Sequence, residues 1–120
     1  MSNQIKGIGI DIVEISRVKY AVKNFGDKFL NKIFTETEKK YCKRRKKMSF
    51  PELAARFAAK EAYSKALGTG MRGIKWKQIE TINDQKGKPL LMVRNKKCPK
   101  SQLSLSHSKE YAIAMVILEG

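Results

Sequence analysis

Histidine, cysteine and long apolar runs are all scarce in this chain of 120 residues. Its single histidine, His107, excludes a His-cluster metal site. Its two cysteines, Cys42 and Cys98, lie far apart and outside any CxxC spacing. They make a poor zinc site and argue against a disulfide framework, as expected of incidental thiols in a reducing compartment. No apolar run approaches the roughly 20 residues that span a bilayer. The opening MSNQIKGIGID lacks the basic stretch followed by a long apolar segment that marks a secretory signal. A cytoplasmic protein without a membrane partner is therefore the expectation. Acidic residues are also scarce, 11 against 26 Lys and Arg, for a net charge of +15. Such an excess calls for an anionic partner. Only six of the cations are arginines, however, and direct base readout leans on bidentate Arg. The block KKYCKRRKK (39–47) offers a single aromatic, Tyr41, and so no stacking platform for single strands. A basic nucleic-acid-binding module without enzymatic activity is the alternative reading, but it leaves the acids described below unexplained.

With 42% hydrophobic residues, the chain reads as one globular domain spanning 1–120. Lys6 to Val13 is predicted to be a strand, in which Ile8, Ile10 and Ile12 alternate with Gly7, Gly9, Asp11 and Val13. Asp11 lies opposite the isoleucines, and the two glycines before it open the backbone to close approach by another group. One or two helices follow over 16–34, with a break near Gly26-Asp27. Thr35 and Glu38 have capping-box spacing for a third helix. Trp76–Asn83 and Pro89–Arg94 are predicted as a hairpin turning at 84–87, with 95–100 a polar loop. Leu103–His107 and Tyr111–Leu118 form a second hairpin. The fold class is α+β: about five short strands, with a small antiparallel sheet packed on a long central helix.

That helix is expected over 51–70, PELAARFAAKEAYSKALGTG. Ser49 and Glu52 have the spacing of a second capping box, and Pro51 suits the first turn. Ala55, Ala58, Ala59, Ala62 and Ala66 share one side; Leu53, Phe57, Glu61, Ser64 and Gly68 share the other. Small or apolar residues on both sides predict burial, which places Glu61 inside an apolar stripe. A buried carboxylate needs a cation, a metal or a proton. The plainer reading is an exposed (i, i+4) pair of Glu61 with Lys65.

Asp11, Glu61, Lys65, the Gly68–Gly70 turn and His107 form a constellation. Two carboxylates without His or Cys suit a hard cation such as Mg²⁺, which also binds substrate phosphates. Lysine and exposed glycine amides suit phosphate oxygens. On chemistry alone this reads as metal-assisted phosphoryl or pyrophosphate chemistry.

GIGIDIVEISR (7–17), FTETE (34–38), ARFAAKEAYSKALGTG (55–70) and LSLSH (103–107) resemble, in order, the motifs of the holo-[acyl-carrier-protein] synthases, the short bacterial-type 4′-phosphopantetheinyl transferases. The resemblance covers nearly the whole chain. It implies transfer of phosphopantetheine from coenzyme A to a serine of apo acyl carrier protein, releasing adenosine 3′,5′-bisphosphate, in fatty acid biosynthesis. It implies Mg²⁺, with Mn²⁺ as a substitute, held by Asp11 and Glu61. It gives Glu61 and Lys65 catalytic roles, with the acceptor of the serine proton left open between Glu61 and a water. Arg56, Lys65, Gly68, Thr69, Gly70, Ser106 and His107 match coenzyme A contacts, and Arg17 matches a carrier-binding arginine. An acidic carrier protein accounts for the net charge without base readout. The family also implies a homotrimer with active sites between subunits.

Overall fold

The computed structural model of the chain describes residues 4–120. The first three residues, and with them the start of the domain drawn at 1–120, lie outside the described residues. The order is β1 (Ile5–Glu14), α1 (Ile15–Phe25), α2 (Asp27–Ile33), α3 (Glu36–Cys42) and α4 (Phe50–Leu67), then β2 (Ile79–Asn83), β3 (Pro89–Val93), β4 (Lys96–Lys97), β5 (Ser101–His107) and β6 (Tyr111–Glu119). Two antiparallel three-stranded sheets result, ordered β1-β6-β5 and β2-β3-β4. The α+β class and the long helix under a small antiparallel sheet are as read from the sequence.

Helix α4 is the element everything else packs on. Its alanines are buried on both flanks: Ala58, Ala59, Ala62 and Ala66 meet Leu103, Ala114 and Val116 of the first sheet and Ile79 and Leu91 of the second. Ala54, Ala55 and Leu53 meet α1, α2 and the end of α3 through Val18, Leu30, Ile33 and Cys42. Strand β1 runs directly over the helix. A Cβ on Gly7 would lie 2.0 Å from the Ala66 carbonyl oxygen, and one on Gly9 would lie 1.7 Å from that of Ala62. The close approach that the glycines permit is thus to α4 itself. This inverts the expected burial of β1. The glycine and aspartate face is the inner one, while Ile8, Ile10 and Ile12 are 57%, 48% and 62% exposed.

Other boundaries shift for identifiable reasons. Gly26, at φ +55°, breaks the chain between α1 and α2, as its position suggested. The Thr35/Glu38 capping box forms, each side chain accepting from the other's backbone N–H. The Ser49/Glu52 box does not: the Ser49 side chain makes no cap. The Ser49 N–H donates to the Cys42 carbonyl, and Glu52 instead takes both arms of the Arg44 guanidinium at 2.7 and 2.8 Å. Helix α4 ends at Leu67, with Gly68 in the left-handed conformation (φ +82°) as its C-cap. Trp76–Gln78 is a 3-10 turn, not the start of β2, because Trp76 stacks on Phe57 of α4 with ring centroids 5.2 Å apart. Within the expected loop 95–100, Lys96 and Lys97 pair with Val93 and Met92 as β4.

One buried pair has no counterpart in the sequence reading. Lys60 and Glu38 are both 0% exposed. The Lys60 ammonium donates to Glu38 Oε1 at 2.8 Å, to the Trp76 carbonyl at 3.1 Å and to the Ile79 carbonyl. The Glu38 carboxylate also accepts from the Thr35 and Thr81 N–H groups at 3.0 and 2.9 Å. Burial pulls the Lys60 pKa down, and the Glu38 charge pushes back. The pair fastens α4 to α3 and to the start of β2, fixing the rotation of the helix that carries Glu61.

Candidate functional site

Asp11 comes to α4 because Gly7 and Gly9 seat β1 on the helix backbone. Lys65 then reaches across: its Nζ donates to Asp11 Oδ1 and to the Ile10 carbonyl, each at 3.0 Å. Lys65 is more than half exposed, so this bridge is worth about 0–1 kcal/mol and orients more than it stabilises. The Glu61/Lys65 pair expected as the plain alternative gives way to it. Glu61 is only half-buried, on the rim of α4 and not inside an apolar stripe. Its proton affinity is raised, first by that burial and second by the negative charge of Asp11, against the pull of Lys65. Among the described residues, nothing hydrogen-bonds or ion-pairs with the Glu61 carboxylate. Two carboxylates that repel one another at the edge of solvent form a donor set for a hard divalent cation. Mg²⁺ is held by one or two carboxylates, its remaining positions going to water and substrate phosphates. The pair fits such an ion, although among the described residues no three acidic, Cys or His side chains group around a metal position.

Gly68, Thr69 and Gly70 follow directly. The Gly68 N–H donates to the Lys65 carbonyl at 3.0 Å and the Gly70 N–H to the Ser64 carbonyl at 3.2 Å. These amides cap the helix, so the expectation of exposed glycine donors is corrected. What the glycines leave is room: a Cβ on either would meet no atom within 4 Å. Arg17 lies on α1, exposed, beside a groove of about 340 Å³ that it shares with Ile12, Glu14 and Tyr111.

Arg56, Ser106 and His107 are brought together elsewhere. They line a cavity of about 180 Å³ with Tyr41, Asn83 and Pro89. His107 also borders an adjoining cavity of about 170 Å³ with Arg45 and Lys47 of the basic block. Asp11, Glu61 and Lys65 line neither. Arg56 and Glu61 are five residues apart on α4, about 140° around its axis, so one chain presents the two groups on different sides. Sequence reasoning missed Tyr41, Asn83 and the Arg44–Glu52 pair. Asn83 had a faint signal as the residue before the Asp-Gln-Lys-Gly turn; the others had none. The arrangement joins two acids, an exposed lysine and a separate cationic cavity, residue types that suit phosphoryl-transfer chemistry.

The comparisons with known proteins specify the class further. The family model described as the 4′-phosphopantetheinyl transferase superfamily matches residues 7–116. A holo-[acyl-carrier-protein] synthase of Chloroherpeton thalassium is 46% identical over 117 residues, covering 93% of this chain and 96% of that protein. The crystal structure of the Bacillus anthracis holo-(acyl-carrier-protein) synthase, in complex with CoA (3′,5′-ADP), superposes with a TM-score of 0.79 at 44% identity, covering 97% of each chain. That of the Neisseria meningitidis synthase superposes at 0.84 and 34% identity, covering 98% of this chain and all of that one. The chain belongs to the 4′-phosphopantetheinyl transferase superfamily, and within it to the holo-[acyl-carrier-protein] synthase enzymes. Among the described residues, no helix is long and apolar enough to cross a membrane.

Proposed function

We propose that this protein, a single transferase domain over 1–120, moves the 4′-phosphopantetheine group of coenzyme A onto a serine of an apo acyl carrier protein. Adenosine 3′,5′-bisphosphate leaves, and the product serves fatty acid biosynthesis. The observation that carries the reading is the convergence of Asp11, Glu61 and Lys65 where β1 crosses α4. Asp11 and Glu61 would hold Mg²⁺ (or Mn²⁺). Bound there, the ion supplies Lewis-acid polarisation of the attacked phosphoryl group and neutralises charge on the leaving group. The chain's own groups do the rest. Lys65, held by Asp11 and the Ile10 carbonyl in the free protein, turns to the pyrophosphate and stabilises or protonates the leaving phosphate. Gly68, Thr69 and Gly70 leave space for the substrate beside it. Arg56, Ser106 and His107 bind the nucleotide end. Arg17, beside its groove at the end of β1, receives the acidic carrier.

We further propose a homotrimer with each active site shared between neighbouring subunits. Two observations support this. Arg56, Ser106 and His107 lie on a different side of one chain from Asp11, Glu61 and Lys65. The outer face of the first sheet also exposes Ile8, Ile10, Ile12, Tyr111 and Met115 in adjacent register, an apolar surface that calls for a cover. Light scattering would test the assembly; a monomer would refute it. The function is tested by intact-mass spectrometry of apo acyl carrier protein incubated with the protein, coenzyme A and Mg²⁺, beside an EDTA control. A gain of one phosphopantetheine unit, lost with EDTA, is expected. No gain, with a known transferase working in parallel, would overturn the reading.

A further inference from the structure

Arg56 is a cation in an unusual state. It is 2% exposed, yet among the described residues no carboxylate lies within ion-pair distance of it. One terminal nitrogen donates to Asn83 Oδ1 at 2.6 Å and the other to the Glu52 carbonyl at 3.2 Å. Its Nε is buried without any partner. A buried cation short of both a counter-charge and an acceptor is matched to an anion supplied from outside. Beside these two bonds, an aromatic ring holds it. The Arg56 guanidinium carbon lies 4.4 Å from the centre of the Tyr41 ring, and that of Arg44 lies 3.8 Å from the same centre. Arg44 is in turn locked by its two-armed bond to Glu52 and by a 2.8 Å bond to the Tyr41 carbonyl. The ring is therefore held between two guanidinium groups. The Glu52 carboxylate is engaged in the ion pair with Arg44 and acts on Arg56 only through space, so no carboxylate touches the Arg56 guanidinium at the cavity wall.

We propose that Tyr41 is a positioning residue for coenzyme A. It acts through Arg56, presenting the guanidinium to the cavity bordered by Ser106 and His107. This rests on the reading above that Arg56 binds coenzyme A. The ring face does the work, so the phenolic hydroxyl is dispensable. Without the ring, the guanidinium keeps its two hydrogen bonds but loses the wall that holds its plane, so it must be re-aligned each time the ligand binds, and affinity for the ligand falls while the chemical step does not change.

The test is steady-state transfer by the full chain, varying coenzyme A and apo carrier protein in turn. The variants are Tyr41→Leu, Tyr41→Phe, Arg56→Ala and the Tyr41→Leu/Arg56→Ala double. Loss of a desolvated cation–π contact predicts that Tyr41→Leu raises the KM for coenzyme A about ten-fold. The kcat and the KM for the carrier stay within about two-fold, because neither depends on Arg56 orientation. Tyr41→Phe restores the parent KM, and the double variant matches Arg56→Ala alone. If Tyr41→Leu melts below the assay temperature, Tyr41→Met, which has bulk but no ring face, carries the same comparison. A raised KM in Arg56→Ala with an unchanged KM in Tyr41→Leu overturns the positioning role and leaves the Arg56 reading intact. Equal losses in Tyr41→Phe and Tyr41→Leu also overturn it. An unchanged KM in Arg56→Ala removes the reading underneath and the inference with it.

Discussion

Replacing Lys60 by Met should cost this protein a large share of its stability without touching any group that meets substrate. The ammonium of Lys60 has three acceptors: the Glu38 carboxylate and the carbonyls of Trp76 and Ile79. Met fills a similar volume, so little of the loss comes from a cavity. It comes from Glu38, which is left fully buried with two backbone N–H donors and no counter-ion. Breaking a buried pair from one side costs about 3–5 kcal/mol, against a total of about 5–15 kcal/mol for a typical domain. With a urea slope of about 2 kcal/mol per molar, a loss of about 4 kcal/mol moves the unfolding midpoint down by about 2 M. Circular dichroism in urea reads this directly, at one fixed protein concentration because subunit association would itself shift the midpoint. The decisive comparison is the Glu38→Leu/Lys60→Met double variant, in which the stranded charge is gone. It should recover most of the stability, since apolar replacement of a whole buried pair is often neutral or better. Two outcomes would refute the reasoning: a Lys60→Met midpoint within about 0.5 M of the parent, or a double variant that shows the sum of the two single losses.

Three further outcomes are expected. Gly9→Ala should lift β1 from α4, because its Cβ would meet the Ala62 carbonyl oxygen at 1.7 Å; a loss of about 1–3 kcal/mol or more in thermal melts, with transfer falling in parallel, would bear this out. Glu61 has its pKa raised in the folded chain, so the fold holds more protons there than the unfolded chain, and stability falls as pH rises through that window. Glu61→Gln should therefore stabilise the EDTA-treated protein at neutral pH, lose that advantage below the ordinary carboxylate range, and nearly abolish transfer; equal melting curves at neutral pH would count against the account. Arg17→Ala should raise the KM for the carrier protein a few-fold at low salt and leave the KM for coenzyme A unchanged, and an unchanged carrier KM would remove Arg17 from the docking face.

Much of the fold was legible because local rules and tertiary packing agree along most of this chain. The alternation at 103–107, the nearly all-apolar run at 111–118, the glycine break at Gly26 and the Thr35/Glu38 capping box are short-range patterns. Each appears where its residues predict it. The Ser49/Glu52 spacing is the same kind of signal and fails, because Arg44 outcompetes a backbone N–H for the Glu52 carboxylate and the Ser49 N–H already bonds Cys42. No count of residues between 44 and 52 predicts that competition.

The sequence by itself determined the class of the fold and the chemistry available to it: two acids without His or Cys partners, a lysine one turn past the second acid, and a helix narrow enough in its alanines for a strand to lie on it. Those are matters of residue type and spacing within a few turns. Which face of β1 is buried, which acid Lys65 bridges to, and the separation of Arg56 and His107 from Glu61 were decided only in the tertiary structure. Each depends on where one element's backbone comes to rest against another. At Gly7 and Gly9 that contact is between main-chain atoms, and it turns Ile8, Ile10 and Ile12 outward from a core that periodicity alone would have assigned to them.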